Sequence, residues 1–166
     1  MRGSTMAKYI NGSKFGIALF FALLPFASHA EPIENDETIT YEISGDSTDA
    51  LATQMSELGP QGSWAYTKWV VNWTGDCIVS VDVTYTYPEW VDRDDADQEV
   101  IDSWDEMMDA LKTHETGHAE NGMTAAQEVE EANCSADSQD IVAKWANQDK
   151  IYDDETNHGY TQGAHF

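Results

Sequence analysis

The sequence predicts an α+β fold in which a small antiparallel sheet packs on helices, one of them long and central. Three stretches in the first half alternate apolar and polar residues with the period of a strand. The second half instead carries apolar residues three and four positions apart, the spacing of a helix with one buried face. Apolar residues make up 41% of the 166 positions, which is enough for a hydrophobic core in one domain.

The first 30 residues are predicted to be a secretory signal peptide. Two lysines precede an apolar run from Phe15 to Phe26, and Ser28-His29-Ala30 provides the small residues of a cleavage site. The run of about 12 residues is too short to cross a hydrocarbon layer of about 30 Å. We therefore expect a secreted or periplasmic protein with no stable membrane anchor after cleavage, and a single domain over residues 31–166.

The charge of the chain restricts its partners. Thirty-one acidic residues stand against eight basic ones, and the formal net charge is −23. Nucleic acids and anionic membrane surfaces would repel such a chain. The sequence therefore argues against nucleic-acid binding.

The two cysteines, Cys77 and Cys134, are predicted to form a disulfide. Both lie after the predicted signal peptide. In an oxidising compartment, a lone pair of cysteines is most simply a structural bridge.

The strands are predicted from the alternation of apolar and polar residues, and the ends of elements are predicted from glycine and proline. A strand is predicted over Thr38–Ser44, and a helix over Thr48–Leu58 is stopped by Gly59-Pro60. Two more strands, Trp64–Thr74 and Cys77–Tyr87, would form a hairpin, with Pro88 ending the second.

The remaining chain is predicted to be helical. An acid-rich start at Asp92–Asp97 leads into an apolar row through Leu111, and Asn121-Gly122 would end or kink this helix. A further stretch over Met123–Asn133 and a last helix after Ser135 follow. The tail from Tyr152 to Phe166 has no clear period.

The informative motif is His114-Glu115-Thr116-Gly117-His118. Histidines four residues apart share one face of a helix, so both imidazoles can bind one Zn²⁺ while Glu115 reaches the water that reacts. The apolar row of the long helix, continued by threes and fours, arrives at both histidines, which places them toward the core.

A catalytic zinc normally has three protein ligands, and this helix provides two. The position six residues beyond His118 is Thr124, so the third ligand must come from elsewhere. The downstream candidates are two histidines and three acids: His158, His165, Asp153, Asp154 and Glu155.

At this point the chain resembles a bacterial domain family of predicted secreted zinc-dependent proteases. The shared elements are Trp69-x-Val71-x-Trp73, Cys77-x-Val79, Pro88-x-Trp90, the His114–His118 motif, Asn133-Cys134 and Asp153-x-x-Thr156-x-His158-Gly159-x-x-x-Gly163-Ala164. The resemblance implies a zincin-like metallopeptidase domain, and it favours His158 as the third ligand.

The sequence and the resemblance together predict a metallopeptidase that acts on proteins or peptides. Glu115 would take a proton from the attacking water and pass it to the leaving amine. Tyr152 or Tyr160 would stabilise the oxyanion, and the strand Cys77–Tyr87 would be the edge along which a peptide binds. The alternative is a periplasmic zinc-binding or interaction module that performs no catalysis.

Overall fold

The computed structural model describes residues 31–166, and the predicted signal peptide lies outside this range. Residues 31–166 form an α+β domain with a three-stranded sheet and three α-helices. In chain order the elements are β1 (Ile33–Ile43), α1 (Thr48–Leu58), β2 (Tyr66–Trp73), β3 (Val79–Trp90), α2 (Gln98–Glu131) and α3 (Ser138–Thr156). Short 3₁₀ turns lie at Pro60–Gly62, Arg93–Asp95 and Tyr160–Gln162.

The strand order is β1-β3-β2, and the sheet is mixed. β2 and β3 pair antiparallel as the predicted hairpin, whereas β1 runs parallel to β3. The prediction of a purely antiparallel sheet is therefore wrong, because α1 and β2 separate β1 from β3 along the chain and provide the long connection that parallel strands need. The prediction that Cys77–Tyr87 forms an edge is also wrong, since β3 is the central strand.

Two strands are longer than their alternation predicts. β1 begins at Ile33 instead of Thr38, because its backbone pairs with β3 from Ile33 opposite Ser80 onward. β3 continues through Pro88 to Trp90, so the prediction that Pro88 ends the strand is wrong. Pairing with β2 stops at Thr86, and the N–H that Pro88 lacks is therefore not required on that side.

α2 is one continuous helix of 34 residues, and the predicted break at Asn121-Gly122 does not occur. Gly122 lies against β2 instead, where an added Cβ would come within 2.6 Å of the Trp69 Cγ atom. This glycine therefore allows helix and sheet to approach closely, and the separate helix predicted over Met123–Asn133 is the last part of α2.

α2 divides the core into two clusters. The first surrounds the early turns of the helix and uses large side chains such as Trp90, Trp104 and Met107. The second packs Ala125, Ala126 and Val129 of α2 against valines of β2 and β3. The motif residues 114–118 lie where one cluster gives way to the other.

The predicted disulfide between Cys77 and Cys134 is present, and it joins the loop before β3 to the loop after α2. Within residues 31–166, no helix is both long enough and apolar enough to cross a membrane.

Candidate metal centre

Three side chains of the predicted motif lie on α2 and are almost fully buried: His114, Glu115 and His118. The two histidines face α3, which packs against α2. Their ring centroids are 4.9 Å apart, and the ring planes are nearly perpendicular. This arrangement brings one nitrogen of each ring toward the same point.

Asp153 of α3 faces that point. Its Oδ1 atom lies 3.2 Å from Nε2 of His114 and 3.2 Å from Nε2 of His118. The two histidines and Asp153 can offer three ligand atoms that all lie within 4.8 Å of one another. The sequence prediction placed Asp153 in an irregular tail, but α3 extends to Thr156 and carries it on a regular helix.

The other nitrogen of His118 is held by a carboxylate. Nδ1 of His118 lies 3.2 Å from Oδ1 of Asp149, one turn before Asp153 on α3. The same Oδ1 accepts a hydrogen bond from the Asn121 amide at 2.7 Å, and Oδ2 accepts one from the Trp69 indole at 2.6 Å. Asp149 therefore joins α3 to both α2 and β2.

The other nitrogen of His114 is held by a neutral amide. Nδ1 of His114 lies 3.0 Å from Oε1 of Gln162, in the 3₁₀ turn that follows α3. Gly159 packs directly on this ring at φ +80°, and an added Cβ would come 3.0 Å from the His114 Cγ atom. Gly159 is therefore required both for its backbone angle and for the space it leaves.

These hydrogen bonds define the chemistry of the site. An amide oxygen accepts hydrogen bonds, so His114 donates from Nδ1 to Gln162 and keeps a lone pair on Nε2. His118 has a carboxylate at each nitrogen, Asp149 at Nδ1 and Asp153 at Nε2, so its ring can carry the proton on either side. With the proton on Nδ1, both Nε2 lone pairs and the Asp153 carboxylate face one another, and such a set of acceptors can bind a cation.

The dimensions also suit a zinc ion. Ligands bound at 2.0–2.1 Å to a tetrahedral ion are about 3.3 Å apart. The two nitrogen–oxygen separations of 3.2 Å agree with this value. His114, His118 and Asp153 thus fit a three-ligand site, and each histidine has the outer hydrogen-bond partner that metal-binding imidazoles usually have.

The two histidines differ in basicity. Burial lowers the pKa of His114, and the neighbouring His118 lowers it further, despite the Gln162 hydrogen bond. Burial also acts to lower the pKa of His118, but the carboxylates of Asp149 and Asp153 outweigh it, and that pKa is raised. The difference follows from the charge of the partner at Nδ1.

Glu115 points toward the sheet. Its Oε2 atom accepts a hydrogen bond from the Thr67 hydroxyl of β2 at 2.7 Å. Burial raises the pKa of the Glu115 carboxyl, while the Thr67 hydrogen bond and the nearby His118 oppose that shift. A buried carboxyl with a raised pKa is suited to taking up a proton and releasing it again.

Tyr152, a predicted oxyanion stabiliser, lies across both histidines. Its ring stacks on His114 at 5.0 Å and meets His118 edge-on at 5.1 Å. The Tyr152 hydroxyl accepts a hydrogen bond from Nε2 of Gln162 at 3.0 Å. Gly117 makes this position accessible, because a Cβ there would come within 2.5 Å of the Tyr152 Cζ atom.

The remaining predicted residues lie at the rim. The His158 side chain is 70% exposed, and its Nδ1 atom is 3.5 Å from Oδ1 of Asp153. His158 therefore touches the cluster without joining the three converging ligand atoms. Asp154 and Glu155 are exposed on α3, and Tyr160 stacks on His165 at 4.3 Å, away from the histidine pair.

Three residues of the site escaped the sequence analysis: Thr67, Asp149 and Gln162. One signal for Asp149 was present, because it stands four residues before Asp153 and so shares its face of a helix. That signal is useful only if the last helix continues to Asp153. The sequence does not predict this continuation, because the tail from Tyr152 onward has no apolar period. Nothing in the sequence pairs Thr67 or Gln162 with the motif.

Fold and site together define a small α+β domain in which a His-Glu-x-x-His helix faces an aspartate on a second helix. The family model described as "Bacterial protein of unknown function (DUF922)" matches residues 38–159. The chain belongs to this family. No curated protein and no solved structure matches it.

Proposed function

We propose that the protein is a secreted or periplasmic zinc-dependent metallopeptidase of zincin-like fold. The observation that carries the proposal is the convergence of His114, His118 and Asp153 on one point, with the buried Glu115 carboxyl within electrostatic reach of His118 and Asp153. His114 and His118 would hold the zinc with Asp153, and His158 would line the entrance. When bound, zinc polarises the peptide carbonyl and lowers the pKa of a reacting water toward 7.

The chain's own residues handle the proton. Glu115 takes it from the attacking water and delivers it to the nitrogen of the departing amine. Thr67 holds one carboxylate oxygen of Glu115 and leaves the other for this exchange. Gln162 and Asp149 keep the two imidazoles oriented throughout.

A peptide substrate would lie along β2. Within residues 31–166 this strand forms one edge of the sheet, and its Thr67 contacts Glu115 directly. An extended peptide can add to such an edge through backbone hydrogen bonds, which would bring its carbonyl groups past the metal site. β2 thus replaces β3 as the proposed substrate-binding strand.

Export is supported by two independent features. The pattern of residues 1–30 is that of a signal peptide, and the Cys77–Cys134 disulfide is typical of proteins in oxidising compartments.

The test compares zinc-loaded wild type with Glu115→Gln on casein and on a peptide library, with and without chelator. We expect chelator-sensitive cleavage by wild type and a loss of at least about a hundredfold in Glu115→Gln, since general base catalysis is worth about 10²–10⁴. Zinc content should be unchanged, because Glu115 is not a ligand.

Glu106→Gln is the matched control, since it removes the same charge from an exposed position of the same helix. It should cleave like wild type. Stoichiometric zinc without chelator-sensitive cleavage by wild type would reject the peptidase and leave the zinc-binding module.

A further inference from the structure

Asp149 is the most heavily hydrogen-bonded acid near the histidines, although it is not one of the three converging ligands. Both of its oxygens are occupied, by donors from three different residues: Trp69, Asn121 and His118. A carboxylate that receives hydrogen bonds from several donors is held in a fixed position. The α3 helix thus presents two acids one turn apart, with different tasks.

The fixed position of Asp149 determines the state of His118. Each nitrogen of His118 lies 3.2 Å from a carboxylate oxygen, Nδ1 from Asp149 and Nε2 from Asp153. Asp149 is fixed by two further donors, which favours the proton on Nδ1 and leaves the Nε2 lone pair pointing toward Asp153. The negative charge also makes the ring a stronger donor of electrons to a metal.

Trp69 extends this arrangement to the sheet. Its indole donates to Asp149 and its ring fills the space that Gly122 leaves open on α2. Trp69 belongs to β2, the strand along which a peptide substrate is proposed to bind. The orientation of His118 therefore depends on the same strand that would hold the substrate.

We propose that Asp149, held by Trp69 and Asn121, is a positioning residue that sets the tautomer of His118 and thereby the affinity of the site for zinc. The inference rests on the metal site of the proposed function. It assigns a role to Asp149, which is not one of the three residues that converge on the metal site.

The experiment measures zinc affinity of the full mature chain by competition with a coloured chelator, with zinc alone as the probe. Asp149→Asn keeps the shape of the side chain and removes its charge. We expect zinc to bind about 10–100-fold more weakly, the usual loss when an outer partner of a metal ligand is replaced. Asp140→Asn, an exposed acid on the same helix, should bind zinc like wild type.

A second variant covers the case in which Asp149→Asn does not fold. Trp69→Phe keeps an aromatic side chain on β2 and deletes the N–H that holds Asp149, together with part of the indole ring system. We expect a weakening of less than about tenfold in zinc affinity. Circular dichroism and thermal unfolding without metal separate this effect from a loss of structure.

NMR of the metal-free protein provides a readout that is independent of activity and of zinc. Nitrogen chemical shifts of neutral His118 should show the proton on Nδ1 in wild type, and a larger share on Nε2 in Asp149→Asn. A folded Asp149→Asn with wild-type affinity, or His118 protonated on Nε2 in wild type, would overturn the inference. Wild type that binds no zinc would instead reject the proposed function, and the NMR result would still decide the tautomer.

Discussion

His114 and His118 are two histidines of the same helix, yet their surroundings differ. Both place Nε2 3.2 Å from the same oxygen of Asp153. The partners of the Nδ1 atoms differ. Nδ1 of His118 contacts the Asp149 carboxylate, which Trp69 and Asn121 fix in turn. Nδ1 of His114 contacts the neutral amide of Gln162. One ring is therefore oriented by charge.

The other ring is oriented by shape. Gly159 contacts one part of the His114 ring and Tyr152 stacks on its face. Both supports come from the segment that begins with the last turns of α3. The comparison teaches that equal ligands in a motif need not be equally basic, and that their outer partners decide the difference.

Removal of the partner that both histidines share should have the largest effect. In Asp153→Ala we expect zinc affinity to fall by more than the 10–100-fold typical of outer partners, because a ligand itself is lost. His158→Ala should weaken zinc binding far less, since its side chain is mostly exposed and its nearest contact to Asp153 is 3.5 Å. Isothermal titration of both variants with zinc measures the difference.

That pair of variants also decides between the two predictions for the third ligand. If zinc affinity falls as much in His158→Ala as in Asp153→Ala, or more, His158 is the third ligand, as the family resemblance implies. Thermal unfolding without metal should show both variants folded.

Displacement of the Tyr152 ring should have an intermediate effect. It should act on both histidines through packing, because no charge is changed. In Gly117→Ala the new Cβ would collide with the Tyr152 ring, and overpacking of this kind costs about 1–3 kcal/mol. Alanine gains about 1 kcal/mol in helix propensity, so the net loss in the free energy of unfolding should be at most about 2 kcal/mol.

Gly75→Ala is the matched control for this change. An added Cβ at Gly75 has no heavy atom within 4 Å, so stability measured by urea unfolding should hardly change. A Gly117→Ala protein about 1 kcal/mol more stable than wild type would show the gain in helix propensity without any clash, so that Tyr152 moves freely and its stacking does not fix His114.

The smallest effect should come from making the two supports alike. Gln162→Glu places a carboxylate beside Nδ1 of His114, and a negative charge there favours the protonated ring. We expect NMR titration of the metal-free protein to give His118 the higher pKa in wild type, and to show the pKa of His114 rising in Gln162→Glu. Titration of both rings at the same pH in wild type would contradict the comparison.

The sequence predicts those elements whose side chains carry a period or a breaker. α1 has the predicted bounds, because its apolar face and Gly59-Pro60 are both local signals. β1 extends five residues further toward the N-terminus than predicted. Backbone pairing with β3 holds this part of the strand, and its residues do not alternate between apolar and polar. Gly122 was misread because a packing glycine and a helix-breaking glycine look alike in a sequence.

The same distinction applies to the site. His114, Glu115 and His118 lie on one helix, and their spacing alone brings them together. Asp153 was only one of several candidates, because its position depends on how α3 packs against α2. Thr67 and Gln162 lie 48 residues from Glu115 and 48 from His114 respectively, and only the folded chain joins them.

The Cys77–Cys134 bond closes a covalent ring that contains β3 and all of α2. A single backbone cut anywhere inside this ring leaves the two pieces joined through sulfur. The site residues of α2, including His114, Glu115 and His118, lie inside the ring, whereas Thr67 and the site residues of α3 lie outside it. A protease that nicks the loop between β3 and α2 therefore releases no fragment from this protein, and its products separate on a gel only after reduction.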